Sequence, residues 1–135
     1  MAREEILKAF LAISEQSKTL QTWSLSILGG SIAVILGSSY IRPVYPRIRW
    51  IYFLFIPGWV FLVISIYYGH DISRNYITAL FIKENLLQGV EDKLGSSFLS
   101  QIQFFGYGLI TFSVWLVIYI FWWILGQWEI KTCAK

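Results

Sequence analysis

The chain is short of what chemistry in a membrane requires. Of its 135 residues only 14% are charged, and three long stretches carry no Asp, Glu, Lys, Arg or His at all. Intramembrane acids and bases mark proton relays, coupling sites and voltage sensors, so their absence counts against these classes, including small exporters driven by a buried carboxylate. There is one histidine, His70, and one cysteine, Cys133. One cysteine makes no internal disulfide and no zinc cluster. One histidine at the edge of a hydrophobic run gives poor support to a Ser–His hydrolase. Glycine-rich phosphate loops and nucleotide fingerprints are missing, so no cofactor or metal is expected and no enzyme is read here. The net charge of +3 comes from flanking lysines and arginines and forms no nucleic-acid-binding stripe. Ala2 in place of glycine excludes N-myristoylation, and Cys133 lies outside the prenylation pattern. Glu4, Glu5 and Lys8 interrupt the first apolar run, which argues against a cleaved signal peptide.

What is present is hydrocarbon surface: 56% of residues are hydrophobic and 19% aromatic. The segment from Phe98 to Leu125 is uncharged and at helical rise reaches about 42 Å, beyond the ~30 Å of a bilayer core. The fold class expected is an all-α integral membrane protein, one domain over 1–135, with three transmembrane helices. The spans are placed at 20–41, 50–68 and 98–125. An N-terminal amphipathic helix (1–18) and an interfacial helix (71–95) are expected beside them. Ile6, Ala9, Phe10 and Ile13 recur at helical spacing in the first, with no Gly or Pro before the span that follows. Asp71 is a plausible N-cap for the second, and Gly95 its end. Pro57-Gly58 falls in the middle of the second span and predicts a kink.

On a helical wheel, Ala12, Glu15, Thr19, Thr22, Ser26, Gly30, Ala33 and Gly37 fall on one stripe of the first span. Small residues at this spacing let helix backbones approach closely in lipid, and the same stripe fits the wall of a narrow wet pathway. Gln101 and Gly108 suggest a second small or polar face on the third span. Gly106-Tyr107-Gly108 shares its letters with potassium-channel filters, but Phe104-Phe105 precede it and the rest of a span must follow. It is read as small residues easing helix contact.

Three spans put residues 3–18 and 70–95 on one side and the 42–50 loop with the C-terminal tail on the other. Trp23, Tyr67 and Tyr68 mark one interface; Tyr40, Trp50, Trp122, Trp123 and Trp128 mark the other. Arg3, Lys8, Lys18, Arg74, Lys83 and Lys93 stand against Arg42, Arg47, Arg49, Lys131 and Lys135, close to a balance. The acid-free loop of Arg42, Arg47 and Arg49 is the stronger local signal and serves as the cytoplasmic-side anchor, with a bacterial inner membrane as the location expected. So small a chain has room for a trans-membrane pathway only as an oligomer. The function expected is a self-assembling pore or ion channel that alters membrane permeability. The alternative is a non-enzymatic accessory or structural subunit of a larger membrane complex. The partners expected are the lipid bilayer, further copies of the chain and other membrane subunits, with no nucleic acid.

Overall fold

The computed structural model describes residues 3–37, 50, 52–82 and 87–133, and side chains within 4–36, 50, 52–82 and 89–122 of these. Three helices follow one another: α1 (Arg3–Gly37), α2 (Phe55–Phe81) and α3 (Leu87–Cys133). At 35, 27 and 47 residues they run about 52, 40 and 70 Å. All three are long and apolar enough to cross a membrane, the length and composition of a membrane-embedded protein.

Neither of the two additional helices expected from the sequence stands as a separate element. Residues 3–18 are the first half of α1, since nothing between Arg3 and Leu28 breaks a helix. Residues 71–81 continue α2 without interruption, and 87–95 open α3. Asp71 lies inside α2, where its carboxylate finds side-chain partners and caps no helix end. Gly95 likewise lies inside α3. The kink expected at Pro57 is also displaced. After a 3₁₀ turn at 52–54, α2 starts at Phe55, so Pro57 occupies the first turn, where its missing N–H costs nothing. Arg42, Arg47 and Arg49, the expected anchor loop, lie outside the described residues.

The helices form an up-down-up bundle with α2 in contact with both neighbours and only slight contact between α1 and α3. Their buried positions step by three and four. In α1 these are Phe10, Ser14, Ser17, Ser24 and Ser31, with Gln21, Leu28 and Ile35 half-buried between and beyond them. In α2 they are Phe55, Gly58, Leu62, Ser65, Gly69, Ile72, Asn75 and Ala79. In α3 the same rhythm runs through Leu94, Ser97, Gln101 and Gly108, then the half-buried Phe112, Trp115 and Tyr119. A mean step of 3.5 residues is the period of helices that wind left-handed about one another.

The up-down-up course divides the bundle into two halves of unlike character. At one end Phe10, Ile72, Ala79 and Leu94 form an apolar cluster, joined by Ile6, Ile13, Tyr76, Val90 and Phe98. This end carries Glu4, Glu5, Lys8, Glu15, Lys18, His70, Asp71, Arg74, Glu91, Asp92 and Lys93. Residues 19–36, 52–69 and 104–122 make up the other half and carry no charge. Eighteen residues of helix rise about 27 Å, close to the ~30 Å of hydrocarbon. The uncharged half is filled by rings: Phe55 lies 5.3 Å from Phe112 and 4.7 Å from Trp115, edge to face. Close approach of α2 and α3 there depends on glycine. A Cβ on Gly108 would lie 2.8 Å from Leu62 Cδ2, and one on Gly58 3.0 Å from the Phe112 ring.

Candidate functional site

α1 presents two small, polar faces, and the bundle uses the one the sequence reading passed over. The inner face is Ser14, Ser17, Ser24 and Ser31, each buried, with Gln21 among them. Serines here replace the large aliphatic residues of a soluble bundle because in lipid close backbone approach and hydrogen bonds hold helices together. Ser24 Oγ donates to Leu20 O at 2.9 Å. Ser31 Oγ donates to Leu28 O at 2.8 Å and accepts the Trp59 indole N–H at 2.8 Å, which fastens α1 to α2. The signal was legible: Ser17, Ser24 and Ser31 recur at every seventh residue.

The stripe singled out from the sequence lies on the opposite side of α1. Thr19, Thr22, Ser26, Gly30 and Ala33 are all exposed in the single chain, and Gly37 is the last residue of the helix. A Cβ on Gly29 or Gly30 would meet nothing within 4 Å. The hydroxyls do not reach outward for partners. Thr19, Thr22 and Ser26 each donate to the carbonyl four residues back, at 3.1, 3.0 and 2.9 Å. Their donors are therefore satisfied within the helix, while the oxygen lone pairs stay on the surface.

Gln101 and Gly108 do share a face, and it is the packed face of α3. Gln101 is fully buried; its Nε2 donates to Ser17 O at 3.1 Å across to α1, and its backbone carbonyl accepts Ser65 Oγ of α2 at 3.1 Å. This residue ties all three helices at one level. Gly69 makes the level possible: a Cβ there would lie 2.6 Å from Gln101 Nε2 and 2.7 Å from Gln21 Cγ. Gly106, Tyr107 and Gly108 all lie within the continuous helix α3, so their carbonyls serve the helix ladder.

One helical turn toward the charged end lies a second polar node. Asp71 Oδ2 accepts Asn75 Nδ2 and Ser97 Oγ, both at 3.0 Å, and Oδ1 accepts Arg74 Nη2 at 2.9 Å. The Arg74 side chain is 70% exposed, so that ion pair adds little. The bonds to Asn75 and Ser97 matter more, because both residues are buried. Asp71→Ala leaves both donors unpaired and is expected to cost about 2 kcal/mol. A lowered unfolding midpoint in detergent, with Arg74→Ala unchanged, is the result that checks it.

Among the described residues no three of His, Cys, Asp and Glu gather as a metal site. Comparison with protein-family models, with curated proteins and with solved structures finds no match to this chain.

Proposed function

We propose that copies of this chain assemble in the membrane into a pore or ion channel that alters permeability. The observation that carries this reading is the division of labour on α1. Its inner serine face is consumed in closing the protomer, whose centre is filled by Leu62, Ser65, Gln101 and Ser17. With the centre filled by these described residues, we read the pathway as running between copies. The stripe of Thr19, Thr22, Ser26, Gly30 and Ala33 is the surface free to meet another copy or face an axis. Its bare glycine edge suits close helix contact, and its hydroxyl oxygens suit a narrow wet lining. The charged half then caps the assembly at one membrane surface, with residues 3–18 and 70–95 as the place where opening is controlled. We assign the membrane as a bacterial inner membrane, with Arg42, Arg47 and Arg49 and the C-terminus on the cytoplasmic side by the positive-inside rule.

A second reading, an accessory subunit of a larger membrane complex, draws on the outward rings. Trp23, Tyr67, Tyr107 and Phe121 are each more than half exposed and would fit against other subunits as well as against lipid. Liposome conductance of the purified chain, with native oligomeric mass measured on the same sample, separates the two. A defined oligomer that passes ions is the expected result. A chain that is silent, and monodisperse only in the company of another membrane protein, would replace the pore with the accessory subunit.

A further inference from the structure

The level of the bundle at Gly69 holds more polar groups than it pairs. Gln101 Nε2 is used by Ser17 O, which fixes the orientation of that amide, since the flipped amide would set two carbonyl oxygens against each other. Its Oε1 is buried and has no protein partner. Ser17 Oγ, also buried, is unpaired as well, unlike the hydroxyls of Ser24 and Ser31 on the same face. Gln21 Nε2 is the third such atom. The amides of Gln21 and Gln101 meet over the Cα of Gly69, which brings no side chain of its own to this level. The three unpaired buried groups come from two helices, on side chains that meet beside Gly69 or, in Ser17, on the residue whose carbonyl Gln101 bonds.

The chemistry of the set selects its ligand. Gln21 Nε2 only donates, Gln101 Oε1 only accepts, and Ser17 Oγ does either. A metal or ammonium ion would satisfy the two oxygens but has nothing to accept the Gln21 N–H. An anion would take that N–H and repel Gln101 Oε1. A neutral hydroxyl-bearing species does both, and the smallest is water, which normally takes two to four polar partners when buried. We infer that Ser17 Oγ, Gln21 Nε2 and Gln101 Oε1 bind one internal water molecule, through which α1 is joined to α3 beside Gly69. This site lies inside the protomer and stands whether or not copies form a pore.

Solid-state NMR in deuterated lipid bilayers tests it, with side-chain amides of glutamine labelled with ¹⁵N and magnetisation transferred from water. The fully buried Gln101 amide is expected to receive water magnetisation within a few-fold of the exposed Gln103. Gln21→Leu, which removes the Gln21 amide donor, is expected to reduce the Gln101 signal several-fold and leave Gln103 unchanged. A silent Gln101 beside a responding Gln103 in the unmodified protein would mean that the two amides pair directly and would overturn the inference. So would a Gln101 signal unaffected by Gln21→Leu. A Gln101 resonance that moves when sodium replaces potassium would assign the site to a cation instead.

Discussion

Gly69→Leu is expected to prevent the three helices from closing. Four added carbons would have to enter a level where even a single Cβ comes within 2.7 Å of two glutamine side chains. Moving those side chains aside breaks the bond from Gln101 Nε2 to Ser17 O and leaves that buried amide without its partner. Overpacking and lost pairing together amount to roughly 3–5 kcal/mol, a large part of the stability of a domain this size. Gly106→Leu is the matched control. It lies on the same kind of helix in the same uncharged half, and a Cβ there meets nothing within 4 Å. Thermal unfolding in detergent followed by circular dichroism should show the first variant lost and the second intact. Similar midpoints for both would mean that the level at Gly69 does not hold the fold.

Gly30→Leu is expected to leave the fold alone and remove function. Among the described residues nothing lies within 4 Å of a Cβ at that position, and leucine is a better helix former than glycine, so the protomer should be no less stable. A bulky side chain on the stripe, however, holds a second helix away or blocks a narrow axis. The assembled fraction, or the conductance per protein in liposomes, should fall at least about tenfold, equivalent to ~1.4 kcal/mol of association energy. Ile27→Leu, off the stripe on the same helix, should assemble and conduct as the parent does. Equal behaviour of the two variants would remove the stripe from the mechanism.

These two glycines show what the sequence could and could not disclose. That the protein is helical, with three helices long and apolar enough to cross a membrane, was legible from length and charge alone, because uncharged runs of bilayer length have few other solutions. Helix ends were harder. Asp71 and Gly95 resemble capping residues, yet a side-chain acceptor such as Asp71 serves equally well inside a helix when Asn75 and Ser97 lie within reach, and only tertiary packing brings Ser97 there. The choice between α1's two faces was beyond the wheel. Thr19–Ala33 and Ser14–Ser31 are both small and polar, and hydropathy does not say which one meets α2. What decides is outside α1: Trp59 bonds Ser31, and Gln101 bonds Ser17. Gln101 and Gly108 were readable as one face, since their separation of seven residues is two turns, but their partners Ser65 and Leu62 were not.

The continuity of the helices has a mechanical consequence. No turn separates the charged end of α1 or α2 from its uncharged half, and each runs as one element past the level of Gly69. Bonds at several levels, Ser97 to Asp71, Gln101 to Ser17 and Trp59 to Ser31, hold these unbroken helices together. A tilt imposed at the end bearing Lys8 or Arg74 would therefore find no joint to absorb it and would have to be shared along the whole of α1 or α2.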